Sequence, residues 1–199
     1  MRPHDRHARA DATRPPLPGP AGRLPGPAGR LPGPAGREPR QPAPHTAAEL
    51  AALTGLLTAP RPPIASVVVG HSRDAASAES AAVFAAEWEA RGGTVLAVVD
   101  WPETAASWLR AARRLTAQTP DAWVIAAAVP GFVRLAQRLR HGTAWEPSRT
   151  YAFGSLCDPR VPALTGPGVL DGLRGASADG GWWEVGDGRI TRFPGRTSE

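Results

Sequence analysis

The sequence contains no lysine, a single cysteine, and no apolar run long enough to cross a membrane. Cys157 therefore has no partner for an intramolecular disulfide, and a cysteine-based metal cluster is excluded. No stretch of about 18 apolar residues is present, and the N-terminus lacks the apolar segment of a signal peptide. For the sequence as written we expect a cytoplasmic protein without a metal or cofactor; a start further upstream would make it extracytoplasmic.

Because lysine is missing, the whole positive charge is carried by arginine, and the excess lies at one end of the chain. Residues 1–45 contain eight arginines against three acids, whereas residues 46–199 contain fifteen of each. The net charge of +5 therefore belongs to the N-terminal segment. A balanced charge on the remainder gives no reason to expect a nucleic acid partner.

The N-terminal segment contains three copies of the heptapeptide Leu-Pro-Gly-Pro-Ala-Gly-Arg, over residues 17–37. Its glycines alternate three and four residues apart, whereas a collagen triple helix needs glycine at every third residue. A segment so rich in Pro and Gly buries too little apolar surface to offset its chain entropy. We therefore expect two regions: a disordered tail over 1–45 and a folded domain over 46–199.

In the folded region, apolar runs typical of buried strands alternate with helical patterns. The predicted strands span 64–69, 94–99, 122–129 and 150–156. The predicted helices span 47–57, 75–91, 102–119 and 130–142. This alternation predicts an α/β domain with a three-layer, open parallel sheet. Two short runs near 182–193 predict a β-hairpin that covers an edge.

This order of elements predicts which side chains form the core, because buried strands and apolar helix faces must meet in such an architecture. The residues expected to be buried are Val67, Val69, Phe84, Val98, Ile125, Leu135 and Phe153.

Several sequence stretches in this order resemble the second lobe of type I periplasmic binding proteins, in particular the branched-chain amino acid receptors of ABC transporters. The resemblance rests on the helix at 47–57 and on the stretches 64–69, 88–95, 120–125, 132–140 and 170–176. It implies one α/β lobe of a clamshell that closes on a small solute, without catalysis. The implied partners are an unidentified small-molecule solute, a missing second lobe and an ABC permease, and the chain would be a truncated or partial copy.

Ligands of open parallel sheets bind where the carboxyl ends of the strands meet helix N-termini. The residues expected to bind the solute are therefore His71, Ser72, Arg73, Asp74, Trp101, Ser155 and Asp158. The alternative for the first four is a solvated loop in which Ser72 or Asp74 caps the next helix. Where the resembling family places aromatics and an acid, this sequence has Ala76, Ala128 or Val129, and Ser155, which puts an amino acid ligand in doubt.

Three other functions share some of these features. An enzyme could use Cys157 with His71 as its base, but no catalytic motif accompanies them, so we expect no catalytic residues and no enzyme. A receiver or flavodoxin-like signalling module shares the alternation, but a receiver would need paired acids after the first strand and a lysine. The effector-sensing lobe of a transcription regulator uses the same fold behind a DNA-binding domain, which the proline-rich residues 1–45 cannot form.

Overall fold

The computed structural model describes residues 42–195, which contain five helices and seven strands. The helices are α1 (Ala47–Thr58), α2 (Ala75–Ala90), α3 (Leu109–Leu115), α4 (Val129–Gly142) and α5 (Arg160–Thr165). The strands are β1 (Ser66–Ser72), β2 (Thr94–Trp101), β3 (Ala122–Ala126), β4 (Thr150–Ala152), β5 (Arg174–Ala176), β6 (Trp182–Gly186) and β7 (Arg189–Phe193). Residues 1–41 lie outside this description, so the disorder expected there stays a prediction.

One sheet holds all seven strands, in the order β2-β1-β3-β4-β5-β6-β7. The neighbours from β2 to β5 pair in parallel, while β5–β6 and β6–β7 pair antiparallel. The predicted α/β fold with an open sheet and a C-terminal hairpin is confirmed. The hairpin covers the outer edge of the unpredicted β5, the last of the parallel strands, by pairing with it antiparallel, and it thereby extends the sheet.

Helices α1 and α2 cover one face of the sheet. The capping box predicted at the start of α1 is present, since the Thr46 side chain accepts from Glu49 N and the Glu49 side chain accepts from Thr46 N. Leu53, Leu57, Phe84 and Trp88 of these helices pack on one core with side chains of β1, β3 and β4. The Phe84 and Trp88 rings are stacked, with their centroids 6.0 Å apart.

Helices α3, α4 and α5 contribute to a second core on the other face. It contains Leu115 of α3, Phe132 and Leu139 of α4, and Val161 of α5, together with Trp183 of β6. All five side chains are completely buried. The three predicted layers are therefore a helix layer, the sheet and a second helix layer.

Six of the seven predicted core residues are buried, and Val98 is the exception, with 47% of its surface exposed. Val98 lies on β2, which pairs only with β1 and forms one edge of the sheet. An edge strand has a neighbour on one side only, so its outer part lacks the cover given to central strands. The prediction for Val98 was wrong because sequence periodicity does not say which strand is at the edge.

Several predicted boundaries were also wrong. Helix α3 begins at Leu109 rather than Pro102, because the preceding segment is held against α4 by a bond from Gly131 N to Glu103 Oε2, 3.0 Å long. Strand β3 ends at Ala126, since α4 begins at Val129. Strand β4 ends at Ala152, and a 3-10 turn at Gly154–Leu156 follows it.

Candidate functional site

A cleft of about 480 Å³ opens at the carboxyl edge of the parallel strands. Ala126 at the end of β3 and Phe153 after β4 line it from the sheet, and the first turns of α2 line one wall. The turn between β5 and β6, over residues 177–181, contributes to the opposite side. Parallel α/β sheets commonly bind ligands at this position.

Glu49 joins the N-terminus of α1 to the sheet edge of the cleft. Its Oε1 accepts a hydrogen bond from Gly154 N, and its Oε2 accepts from Thr46 N at 3.4 Å. Only 4% of Glu49 is exposed, and this burial raises the pKa of its carboxyl, although the two backbone N–H groups and His45 act against the rise. Glu49 therefore fixes the turn that carries Ser155.

His45 lies along the mouth of the cleft, within the segment assigned to the tail from the sequence. Its Nδ1 is 3.0 Å from Ser80 Oγ on α2, and its ring meets the Phe153 ring edge-on with centroids 5.8 Å apart. Pro42 also lines the cleft. The described part of the chain upstream of α1 thus borders the site.

Arg192 and Cys157 meet at another part of the cleft lining. Arg192 Nε donates to Cys157 Sγ at 3.1 Å, and its Nη2 donates to the Cys157 carbonyl oxygen at 3.0 Å. Burial raises the pKa of the Cys157 thiol, with the Arg192 guanidinium acting in the opposite direction. A reactive cysteine needs a lowered pKa, so this thiol has the wrong electrostatics for a nucleophile.

Asp179 supplies an acid to the same cleft from the turn between β5 and β6. Its Oδ1 accepts from Gly181 N at 3.0 Å, within the turn itself. The cleft therefore combines an acidic and a basic side chain with the Ser77, Ser80 and Ser155 hydroxyls and an apolar floor. Such a lining can hold a small solute that has both polar and apolar parts.

Of the residues predicted to bind a solute, Ser72 and Asp74 have a structural role. Asp74 caps α2, its Oδ1 accepting from Ser77 N at 2.9 Å. The Ser72 hydroxyl donates to Asp74 Oδ2 at 2.6 Å and accepts from Ala128 N at 2.9 Å. Ser72 is completely buried, so this network connects β1, α2 and the start of α4 beneath the surface.

Four more of the predicted residues lie away from the cleft. Arg73 pairs with Asp100 at 2.6 Å, and Asp158 pairs with Arg160 at 2.6 Å; each pairing lowers the pKa of the carboxyl concerned. The Nδ1 of His71 lies 2.9 Å from the carbonyl oxygen of the next residue. The fourth is Trp101.

Trp101 is completely buried in the core, and it borders a separate cavity of about 260 Å³ together with Arg73. Ser155 is therefore the one predicted residue that lines the cleft. The sequence did not point to His45, Ser80, Asp179 or Arg192. Only Glu49 carried a signal, its capping-box spacing, and that spacing says nothing about a contact with Gly154 across the fold.

Two general features bear on function. Within residues 42–195, no group of three His, Cys, Asp or Glu side chains is placed to hold a metal ion. No helix in that part of the chain is long and apolar enough to span a membrane.

Comparison with solved structures identifies the fold. A substrate-binding periplasmic protein from Ralstonia solanacearum superposes with a TM-score of 0.55 at 17% identity, over 67% of this chain and 37% of that one. An extracellular ligand-binding receptor from Rhodopseudomonas palustris gives 0.54 at 20% identity, over 64% and 34%. The fold is that of periplasmic solute-binding proteins.

A third structure, described as a branched-chain amino acid ABC transporter from Rhodospirillum rubrum, gives a TM-score of 0.54 at 22% identity. The superposition covers 65% of this chain but 36% of that one, so the chain spans about a third of the solute-binding proteins it resembles. No protein-family profile matches the sequence, and no curated protein matches it. The resemblance inferred from the sequence is confirmed at the level of the fold.

Proposed function

We propose that this chain is a solute-binding lobe of the kind that serves ABC transporters, and that it acts by binding rather than by catalysis. One observation carries the proposal: a cleft of about 480 Å³ opens at the carboxyl edge of the parallel strands. Its volume lies within the range of about 300–1,000 Å³ typical of small-molecule sites. Ser155 and Asp179, on two different turns, both line it.

The solute expected there is small and partly polar. Asp179 can attract a cationic group, the hydroxyls of Ser77 and Ser155 can donate or accept, and Phe153 offers an apolar surface. Arg192 is engaged by Cys157 and serves mainly to hold the hairpin against the 3-10 turn. The partner at the open side of the cleft would be a second lobe, and the assembled protein would deliver solute to a permease.

Mutation of the cleft tests whether it is the binding site. A panel of amino acids, sugars and small carboxylates is screened by thermal shift against the chain, and the best ligand is titrated into Ser155→Ala and Asp179→Asn. We expect each change to weaken binding about tenfold, as loss of one polar contact does. Arg189→Gln, an exposed change on β7, is the control. Unchanged affinity in both cleft variants would place the solute elsewhere.

A second test concerns branched-chain amino acids. A single lobe contacts one side of a solute, and losing half the contacts of a micromolar site leaves binding of about millimolar strength, since each tenfold is about 1.4 kcal/mol. Calorimetric titration with leucine, isoleucine and valine should therefore show weak or no binding. A dissociation constant below about 10 μM, roughly −7 kcal/mol, would refute the proposal that a second lobe is needed.

A further inference from the structure

The arginines of the folded region are concentrated on two neighbouring helices. Residues 42–195 contain fourteen arginines and fourteen acids. Six of these arginines lie on α3 and α4, and neither helix contains an Asp or Glu. They are Arg110, Arg113, Arg114, Arg134, Arg138 and Arg140, and all six are exposed. Although the net charge of residues 42–195 is zero, α3 and α4 form a strongly basic layer, which we call the α3–α4 face.

The opposite layer has the reverse charge. Helix α2 contains Glu79, Glu87 and Glu89 and no arginine, and it packs on the other side of the sheet. A uniform preference for arginine over lysine would not separate the two signs in this way. The electrostatic potential of the lobe is therefore positive on the side of α3 and α4 and negative on the side of α2.

Most of the arginines on the α3–α4 face have no acid to neutralise them within residues 42–195. Arg114 lies 3.4 Å from Asp100, which Arg73 shares. The other five make no ion pair within 4.0 Å in that part of the chain. They face outward because apolar side chains fill the buried sides of the two helices, namely Ala112 and Leu115 of α3, and Leu135 and Leu139 of α4.

An apolar side chain lies beside this basic surface. Leu164 on α5 is 56% exposed, and Gln137 of α4 holds its carbonyl oxygen at 3.0 Å. Trp108, immediately before α3, is partly exposed as well. Arginines next to exposed Leu and Trp side chains are typical of surfaces that lie on an anionic bilayer.

We propose that the α3–α4 face docks on an anionic lipid surface, with the guanidinium groups on the lipid phosphates and Leu164 in the headgroup region. Nucleic acid fits less well, because single strands stack on several exposed aromatic rings. Beside the α3–α4 face Trp108 is only partly exposed, and Trp101, Trp123 and Trp145 are buried. Arginine suits phosphate oxygens because its planar guanidinium can donate two parallel hydrogen bonds. The inference does not depend on the solute cleft.

The test is co-sedimentation of the full chain with phosphatidylcholine vesicles that contain or lack phosphatidylserine. The test variant is Arg113→Gln/Arg134→Gln/Arg138→Gln. The control variant, Arg61→Gln/Arg91→Gln/Arg189→Gln, removes the same charge elsewhere and keeps the same arginine-rich residues 1–41. At low salt we expect the test variant to bind anionic vesicles about a hundredfold more weakly than the control, because each arginine contributes about a fivefold factor.

Further measurements distinguish binding to anionic lipid from other kinds of binding. Binding should fall steeply with added salt and be absent on pure phosphatidylcholine, and Leu164→Ser alone should weaken it. Equal loss in the two triple variants, or binding that survives high salt, would overturn the proposal. A labelled DNA duplex and single strand form the comparison arm: tighter binding to either than to the vesicles, lost in the test variant, would assign the face to nucleic acid and also refute it.

Discussion

Replacing Glu49 with alanine should weaken both the start of α1 and the sheet edge of the cleft. The carboxyl is the acceptor for Gly154 N and the second half of the capping box with Thr46. Alanine can accept neither hydrogen bond. The N–H of Gly154 would then be left without a partner in a partly buried place.

The expected cost follows from those two contacts. Leaving a buried donor unsatisfied costs about 1–3 kcal/mol. Loss of the hydrogen bond from Thr46 N to the Glu49 carboxyl adds about 0.5 kcal/mol. The other half of the capping box is kept, because the Thr46 hydroxyl still accepts from the backbone N–H of residue 49. Glu49→Ala should therefore destabilise the chain by about 1.5–3.5 kcal/mol. Glu49→Gln keeps an amide oxygen for Gly154 and avoids burying a charge, so its cost at neutral pH should stay below about 1 kcal/mol.

The same residue predicts a pH dependence. Burial raises the pKa of Glu49 above its ordinary value of 4.5 in the folded protein. The folded state then binds more protons than the unfolded state, so stability falls as pH rises from about that value towards the folded pKa. The amide of the Glu49→Gln variant does not titrate, and both proteins keep His45. The stability advantage of the wild type over Glu49→Gln should therefore shrink as the pH rises above about 4.5, the unfolded pKa.

Urea denaturation of the wild type and both variants at several pH values measures this. A Glu49→Ala cost below about 0.5 kcal/mol would show that Gly154 finds another acceptor. If the advantage of the wild type over Glu49→Gln grows with pH, the pKa of Glu49 is lowered in the folded protein. The hydrogen bonds to the carboxylate would then outweigh the effect of burial, contrary to the direction given above.

Three further predictions follow from packing and from the sequence. Phe84→Ala should cost about 3–5 kcal/mol in urea denaturation, because Phe84 is completely buried, whereas the adjacent Val83→Ala, at a site 37% exposed, should cost under about 1 kcal/mol; equal costs would contradict this. Gly70→Ala should cost about 1–3 kcal/mol in the same assay, because its Cβ would lie 2.8 Å from Trp101 Cζ3, and a neutral result would mean that the ring moves aside. Trypsin should cleave at Arg23, Arg30 and Arg37 before any arginine of residues 42–195, and equal protection there would count against the disorder predicted upstream of residue 42.

Most of the fold could be predicted because its signals are local. The β-branched run before Gly70 gave β1, and the Gly-Gly pair at 92–93 gave the end of α2, where Gly92 has a φ of +84°. The wrong predictions concern elements whose position or limits depend on tertiary contacts. The start of α3 depends on Glu103 reaching Gly131 across 28 residues, and β5 is three residues long, too short for a periodic pattern.

The cleft was far less predictable than the fold. The rule that ligands bind after the strands located the correct edge, yet it did not say which side chains at that edge face the solute. Ser72 ends β1 and Asp74 follows it, but the N-terminus of α2 and the Ala128 N–H take up their hydrogen bonds. Asp179 lies in the turn between β5 and β6, and Arg192 lies on β7, so both belong to the antiparallel extension of the sheet.

The antiparallel extension contributes to the second core through Trp183 and Val185 of β6, whereas the first core is built without the hairpin. Ser177 N donates to Gly181 O at 2.9 Å, and Gly180 N donates to Ser177 O at 2.9 Å, so a tight turn leads directly from β5 to β6. Trp183 of β6 is completely buried and packs over Gly175, where an added Cβ would clash with its ring. Only glycine fits there, so Gly175 admits the ring that joins the hairpin to the second core. This packing lies within the lobe, so the hairpin is held by the domain's own second core.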